Sequence, residues 1–187
     1  MDSLYFYIDC LYPISNSSER RIEQNLLAAP EIEKMQKFFL AFWNKRSPTD
    51  PQGVWQQYMK QVGRAQDQFG SKSIPGYKTD MGRVYLQYGQ PSTVERSPRN
   101  ANNYPWEMWQ YDQLETEEVP RQFNRIFVFV DQTLTGRSYY LIHSNAISEI
   151  QDHKWKMALR RQTSRGYDID DTSGQNDRNQ YGDKVDN

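Results

Sequence analysis

Cysteine and histidine are scarce in this chain of 187 residues, which narrows the chemistry it can perform. Cys10 is the only cysteine, so an internal disulfide and a cluster of thiolate metal ligands are both excluded. The two histidines, His143 and His153, do not belong to a metal-binding spacing such as HExxH. We therefore predict no metal and no cofactor. We expect Cys10 to be buried as a small apolar residue and His143 to face outward from a hairpin edge.

Long apolar runs and a large net charge are also absent. No apolar run approaches the ~20 residues that a membrane-spanning helix needs. The net charge of −1 argues against a general binder of nucleic acid or membrane surfaces, unless charge is concentrated locally. No charged segment followed by an apolar one opens the chain. Because the sequence enters a strand-like pattern at once, we interpret Met1 as added to an excised fragment, with any signal peptide outside it.

Aromatic residues are abundant instead. They make up 14% of a chain whose hydrophobic fraction is only 36%, which predicts one domain with a core of a few large rings. Two aromatic stripes predict amphipathic helices at residues 31–46 and about 51–69. The second helix is expected to have Asp50 as its N-cap and Pro51 at its first position. Core packing is the simplest explanation of both stripes.

The densest run of position-specific residues lies at 74–91. It contains a turn, two residues of helix-capping type and a closing glycine: Pro75-Gly76, Thr79, Asp80 and Gly89-x-Pro91. Residues 84–88 are compatible with a short strand, but Asp80 as N-cap and the terminal Gly89 favour a short helix. Local signals of this kind build architecture and are not in themselves catalytic chemistry.

The remaining segments predict a sheet. Three strands follow one another as an antiparallel meander, at residues 104–113, 126–131 and 137–143. Residues 93–95 are compatible with a further short strand. Residues 4–12 also have a strand-like composition, and residues 15–29 have helical spacing with Ser18 as a capping residue. We therefore predict an α+β fold in which two amphipathic helices and a short motif helix cover a three-stranded meander, with an N-terminal strand and a C-terminal basic helix.

The chain changes character near its C-terminal end. Residues 152–165 hold five Lys or Arg against one acid, with Ile150, Trp155 and Leu159 spaced for one helical face. This pattern predicts the basic helix. Residues 166–187 hold six Asp against two basic residues and almost no apolar side chain. We predict that this tail is disordered or lies along another surface, such as the basic helix.

Several motifs follow one another at suitable distances. They are Phe42-Trp43-Asn44-Lys45-Arg46-Ser47-Pro48, Pro75-Gly76-Tyr77-Lys78-Thr79-Asp80, Gly82-Arg83-Val84-Tyr85, Tyr88-Gly89-Gln90-Pro91, Pro105-Trp106-Glu107-Met108-Trp109 and Phe127-Val128-Phe129-Val130-Asp131. Together they resemble the GWxTD domain, a module of bacterial cell-envelope proteins. The resemblance covers about residues 30–160, and the motifs are jointly specific. Tyr77 stands where the family name has Trp, Met81 where a basic residue is common, and Gln90 where Pro often occurs.

The resemblance implies a location and a type of partner more than an activity, because the family has no settled biochemical activity. It implies the periplasm or the outer membrane, and partners among other envelope proteins, such as an outer-membrane assembly or secretion complex. A looser likeness, at the level of the fold, is to the small lipoprotein that accompanies the β-barrel assembly machine. We divide the chain into the end of a preceding β-rich region at 1–29, the GWxTD-like domain at 30–150, the basic helix at 151–165 and the acidic tail at 166–187.

The candidate site residues are structural or binding residues and not catalytic ones. They are Arg46, Gly76, Tyr77, Thr79, Asp80, Gly82, Arg83, Tyr88, Gly89, Pro91, Trp106, Glu107, Trp109 and Asp131. Asp80 and Glu107 would suit acid–base chemistry if they converged, but Asp80 is also a capping residue and Asp131 is suited to fixing a turn. Arg46 is expected to pair with a carboxylate. We predict a protein-interaction module that binds no nucleic acid, with a hydrolase or accessory domain using carboxylates near Thr79 and Asp80 as the alternative.

Overall fold

The computed structural model describes residues 2–98, 102–116, 119–136 and 138–161. Within these ranges the α-helices are α1 (Asp2–Asp9), α2 (Ser17–Ala28), α3 (Ile32–Arg46), α4 (Pro51–Phe69), α5 (Asp80–Tyr88) and α6 (Trp155–Ala158). The strands are β1 (Thr93–Ser97), β2 (Trp106–Leu114), β3 (Gln122–Val130) and β4 (Tyr140–Ser144). Two short 3-10 turns lie at Tyr12–Ile14 and Gly76–Lys78. The predicted α+β class is confirmed.

The sheet has four strands in the order β1-β2-β3-β4, and every neighbouring pair is antiparallel. The three-stranded meander that we predicted is β2 to β4, and β1 adds a fourth strand at the edge. Its five residues pair in continuous register with β2, from Thr93 opposite Gln110 to Ser97 opposite Trp106. The short polar sequence of β1 gives only a weak strand signal, because much of it is exposed.

The predicted N-terminal strand at residues 4–12 is wrong, since this segment forms α1 and a 3-10 turn. Leu4 and Ile8 lie four residues apart and pack into a small apolar cluster with Leu26 and Met35. This helical spacing outweighs the strand preference of the aromatic residues between them.

The start of α2 also differs from the prediction. Its N-cap is Asn16 and not Ser18, since the Asn16 side chain accepts a hydrogen bond from the backbone N–H of Glu19 at 2.9 Å. The Glu19 carboxylate in turn accepts from the backbone N–H of Asn16 at 3.0 Å, which completes a capping box. Ser18 lies inside the first turn of the helix.

The helices predicted from aromatic spacing are confirmed as α3 and α4. Asp50 is the N-cap of α4, where its Oδ1 accepts from the backbone N–H of Gly53 at 2.8 Å, and Pro51 occupies the first helical position. The segment from Asp80 to Tyr88 is a helix, as Gly89 at its end indicates.

One face of the sheet packs against α4 and α5. The prediction also placed α3 on the sheet, whereas α3 packs mainly on α4 and α1. The buried residues of this core include Tyr58, Val62 and Ala65 of α4, Val84 and Tyr85 of α5, Trp109 and Tyr111 of β2, and Phe127 and Phe129 of β3. Cys10 and Leu11 belong to the same core, which therefore includes part of the N-terminal segment.

The opposite face of the sheet is covered near β4 by residues 150–161, which we call the segment around α6. His143 lies directly opposite Val128, so the two side chains share this face. The Trp155 ring stacks on the His143 ring, with 5.9 Å between the ring centres.

The predicted basic helix at 151–165 is correct only as the single turn of α6, because the chain beyond it pairs with residues 102–104. Residues 162–165 and the predicted acidic tail lie outside the described residues. None of the described helices is long and apolar enough to cross a bilayer.

Candidate functional site

The 3-10 turn at Gly76–Lys78 is pressed against α4 and α5, and two glycines make this approach possible. A side chain at Gly76 would overlap the backbone carbonyl of Ala65 in α4. A side chain at Gly82 would overlap the backbone carbonyl of Gly76. The backbone N–H of Gly76 donates to Gln66 Oε1 at 2.7 Å, which fixes the turn on α4. Both glycines are therefore explained by close backbone packing.

Thr79 is the N-cap of α5. Its hydroxyl accepts from the backbone N–H of Gly82 at 3.0 Å and donates to the carbonyl of Gly76 at 2.7 Å. The prediction that Asp80 is the cap is wrong, because Asp80 is the first residue of the helix and its side chain points to the sheet. Asp80 Oδ2 accepts from the backbone N–H of Leu141 at 2.8 Å. Since Leu141 belongs to the edge strand β4, Asp80 connects the motif helix to the edge of the sheet.

Tyr77 and Lys78 share one carboxylate. The Tyr77 hydroxyl donates to Asp9 Oδ2 at 2.6 Å, and Lys78 Nζ lies 2.6 Å from the same oxygen. The Tyr77 ring is buried and meets the Phe6 ring edge-on at 5.9 Å. Burial first, and then the hydrogen bond to Asp9, raises the pKa of Tyr77 far above its ordinary value. Sequence reasoning missed Asp9 because it assigned α1 to a strand, and the Leu4/Ile8 spacing was the available signal.

Arg83 and Tyr88, both on α5, bind a second carboxylate. The two Nη atoms of Arg83 each lie 2.8 Å from an oxygen of Glu149, and the Tyr88 hydroxyl donates to Glu149 Oε1 at 2.9 Å. The Glu149 side chain is only 7% exposed and that of Arg83 21%, so this bidentate pair is largely buried. It connects α5 to the loop that follows β4. Nothing in the sequence around Glu149 distinguishes it from other polar loop residues.

Gly89 and Pro91 end the motif segment. Gly89 has φ of +82°, a conformation that favours glycine, and its carbonyl accepts from the Tyr111 hydroxyl at 3.0 Å. Pro91 follows in the loop to β1.

Arg46 pairs with a carboxylate, as predicted, and the partner is Glu19. Arg46 Nη2 lies 2.8 Å from Glu19 Oε2, and the guanidinium also stacks over the Phe42 ring at 3.5 Å. Burial alone would raise the pKa of Glu19. The hydrogen bonds from Arg46 and from the Asn16 backbone outweigh this effect and lower it to about 2.

The motif residues of the sheet form separate contacts. Glu107 accepts from Arg96 Nε at 2.9 Å and from Trp109 Nε1 at 3.2 Å. Asp131 fixes the β3–β4 turn, as predicted, by accepting from the backbone N–H and the hydroxyl of Thr133 at 3.0 and 2.6 Å. Trp106 is half-buried at the start of β2, opposite Val130.

Asp80 and Glu107 therefore bind different partners and line different surface depressions. The structure instead gathers other carboxylates around the motif. A motif cleft of about 540 Å³ is lined by Asp9, Tyr12, Glu23, Gln24, Leu27, Tyr77, Lys78, Asp80 and Arg83. A depression of about 100 Å³ also borders Lys78 and Asp80 and is lined by Ile74, Tyr139 and Tyr140.

Glu23 is the least expected residue of the motif cleft. It is only 2% exposed and accepts a hydrogen bond from the Ser15 hydroxyl. Burial raises the pKa of this carboxyl to about 7, and the nearby Glu19 acts in the same direction. Glu19, one helical turn earlier, pairs with Arg46. Glu23 therefore has no strong ion pair to lower its pKa, which stays near neutral pH. Sequence reasoning did not single it out.

Cys10 and His143, which were also considered for chemistry, are both buried. Cys10 is fully buried, as predicted, and burial raises the pKa of its thiol to about 12. The prediction for His143 is wrong, since it is only 6% exposed and its Nδ1 accepts from the backbone N–H of Asp152 at 3.1 Å. The segment around α6 covers it. Within the described residues, no three His, Cys, Asp or Glu side chains are grouped so as to hold a metal ion.

The comparison with known families agrees with the motifs. The sequence profile of the GWxTD domain matches residues 8–160, a longer stretch than the 30–160 expected from the motifs. The added residues include Cys10 and Leu11 of the core and the paired Glu19. Searches of curated proteins and of solved structures gave no significant match. The chain belongs to the GWxTD domain family, and Gly76-Tyr77-Lys78-Thr79-Asp80 is its form of the family motif.

Proposed function

We propose that this domain is a non-catalytic protein-interaction or scaffold module of the bacterial cell envelope, in the periplasm or at the outer membrane. The main support is a contrast within the motif region. The polar side chains of the motif bind groups of the same chain, whereas apolar side chains beside them are exposed.

The exposed apolar side chains surround Lys78 and form a surface that we call the motif face. It consists of Phe6, Tyr12, Ile74, Lys78 and Tyr140, and its four apolar members are 39 to 50% exposed. Phe6 contacts the Tyr77 ring, Tyr12 lines the motif cleft, and Ile74 and Tyr140 line the depression on the other side of Lys78. Aromatic and aliphatic side chains grouped around a few polar atoms are typical of the centre of a protein interface.

A partner with apolar side chains suits this face. Lys78 is already paired with Asp9, and the Arg20 guanidinium lies 4.7 Å from the centre of the Tyr12 ring, so the surface offers mainly apolar area and tyrosine hydroxyls with one cation at its edge. Because the motif face lies beside the family motif, we propose it as the surface that a partner of this family binds. We propose other envelope proteins as the partners, including the components of an outer-membrane assembly or secretion complex.

Photo-crosslinking in the producing bacterium tests this proposal. A photoreactive amino acid in place of Tyr140 should crosslink to a discrete partner, which mass spectrometry identifies. Ile74→Asp, introduced beside the crosslinker, should abolish that product, because a carboxylate cannot be buried in an apolar interface without large cost. The folded state of each variant is checked by circular dichroism.

Phe123 provides the matched control. It is 56% exposed but lies at the other end of β3 from Val130, the residue opposite Tyr140. Phe123→Asp should leave the crosslinked product unchanged. Loss of the product in Phe123→Asp and Ile74→Asp alike, or a diffuse pattern without a discrete partner, would contradict a specific interface at the motif face.

A hydrolase that uses carboxylates is the second candidate, and the motif cleft is the observation in its favour. Glu23, with a pKa of about 7, lines the cleft together with Asp9 and Lys78, a mixture that suits proton transfer. It ranks second because Asp9, Asp80 and Arg83 each bind a structural partner. Hydrolysis of a chromogenic ester, phosphoester or glycoside that is lost in folded Glu23→Gln would favour this candidate.

A further inference from the structure

Four cationic side chains lie close together in the segment around α6. They are Lys154, Lys156, Arg160 and Arg161. The first three are exposed and Arg161 is half-buried. In the part of the chain that the structure describes, no carboxylate lies within ion-pair distance of any of them. Because the whole chain has a net charge of −1, this concentration of positive charge is local.

The same segment exposes apolar side chains. Met157 is 68% exposed, the highest value among the exposed large apolar side chains of the described residues. Ile150, at the start of the segment, is 54% exposed. Met157 lies between Lys156 and Arg160 along the chain, so an exposed apolar side chain has exposed cations on both sides of it in the sequence.

The inner side of the segment is anchored, which fixes the direction of its outer side. Trp155 stacks on His143, and Leu159, four residues later, is only 7% exposed. The backbone N–H of Tyr104 donates to the carbonyl of Leu159 at 2.8 Å, and that of Arg161 donates to Asn102 at 2.7 Å. Between these two anchors Met157 is exposed, and Lys156 is exposed with its Nζ 5.6 Å from the centre of the Trp155 ring.

We propose that this basic apolar face, formed by Ile150, Lys154, Lys156, Met157, Arg160 and Arg161, docks on a bilayer that contains anionic phospholipid. The lysines and arginines supply attraction to the negative headgroups. Met157 and Ile150 supply apolar side chains that enter the region between headgroups and acyl chains. An acidic protein would satisfy the charges, but the exposed Met157 among them favours a surface that accepts both kinds of group.

Co-sedimentation of the full chain with lipid vesicles tests the proposal. The chain should bind vesicles of phosphatidylcholine mixed with phosphatidylglycerol, bind phosphatidylcholine alone much more weakly, and dissociate at high salt. Replacing Lys154, Lys156 and Arg160 together by Ala should weaken binding by about 100-fold, since each charge near an anionic surface contributes roughly a factor of five. Met157→Asp should weaken binding without removing any of the cations.

The control removes two exposed cations from another part of the domain. Lys60 and Arg64 are exposed cations on α4, so Lys60→Ala with Arg64→Ala should leave vesicle binding unchanged. The proposal is overturned if the full chain binds neither kind of vesicle, or if the control weakens binding as much as the triple variant. Binding to soluble polyglutamate without binding to anionic vesicles overturns it in favour of an acidic protein partner.

Discussion

Each polar side chain of the motif contacts a specific group of the fold, and Asp80 shows what such a contact does. Its carboxylate is the acceptor for the backbone N–H of Leu141, in the edge strand β4. An amide that loses its acceptor in a partly buried position costs about 1–3 kcal/mol. The fold therefore requires a hydrogen-bond acceptor at this position.

Asp80→Ala should lower the free energy of unfolding by about 1–2 kcal/mol, because the Leu141 amide loses its acceptor. Asp80→Asn should lower it by less, since the amide oxygen of Asn still accepts a hydrogen bond. Urea denaturation measures both values. Asp112→Ala, on the exposed side of β2, is the control and should change stability by less than about 0.5 kcal/mol. Equal losses from Asp80→Ala and Asp112→Ala would show that the contact contributes nothing.

Glu23 should make stability depend on pH near neutrality. Its pKa in the folded protein is about 7, against an ordinary value of 4.5, so the folded state binds a proton more tightly than the unfolded state. Its contribution is fully present below pH 4.5 and is lost as the pH rises through 7, by at most about 3 kcal/mol. Glu19 has the opposite shift, so its contribution is present above pH 4.5 and is lost as the pH falls through about 2.

Thermal unfolding of Glu23→Gln against the wild type, from pH 5 to pH 8, measures this effect. The wild type should lose stability relative to the variant as the pH rises across this range, because only the wild type acquires a buried negative charge. A constant difference between the two proteins across the range would mean that Glu23 does not titrate there.

Helices and strands with strong periodicity could be predicted from the sequence, whereas elements fixed by distant contacts could not. The aromatic stripes located α3 and α4, and Asp50-Pro51 marked the start of α4 correctly. The first segment was mistaken for a strand because its tyrosines favour strands, while the contacts of Ile8 with Leu26 and Met35 decide the outcome.

Only one side of each contact in the candidate site could be predicted from the sequence. The motif residues are visible in the sequence, but their partners Asp9 and Glu149 lie 68 and 66 residues away along the chain. Neither partner has a local signature, since an exposed acid and a buried paired one look alike in sequence. Glu23 and the burial of His143 depend in the same way on which element covers them.

Substituting alanine for Gly76 and for Gly63 should change the free energy of unfolding in opposite directions. Gly76 allows a close backbone contact that a side chain would block, whereas Gly63 has open space around it. Gly76→Ala should destabilise the protein by about 2 kcal/mol or more, since the new side chain overlaps the backbone of α4. Gly63 lies inside α4 with open space around the position of a side chain. Gly63→Ala should therefore stabilise the protein by roughly 0.5–1 kcal/mol through helix propensity. Urea denaturation of both variants checks the signs, and a destabilising Gly63→Ala would reveal a contact of that face.

Interactions far apart in the sequence join the N-terminal segment to the rest of the domain. The Tyr58 hydroxyl of α4 donates to the carbonyl of Cys10 at 2.6 Å, and Tyr77 and Lys78 both bind Asp9. Cys10 and Leu11 are completely buried in the main core. These contacts predict that the segment before α2 unfolds together with the sheet and not before it.

The single cysteine provides a direct measurement of this cooperativity. Cys10 is fully buried and burial raises the pKa of its thiol to about 12, so it is inert in the folded protein and reacts only when the chain around it opens. If that opening is global unfolding, Cys10 reacts only in the unfolded fraction of the molecules. Its rate of modification by an excess of thiol reagent should then equal the rate in the unfolded chain multiplied by the equilibrium constant of unfolding. Gly63→Ala should then slow the reaction and Gly76→Ala should accelerate it, each by the factor that its change in stability gives, about tenfold per 1.4 kcal/mol. A reaction that is fast in native conditions and indifferent to Gly63→Ala would show that the N-terminal segment opens on its own.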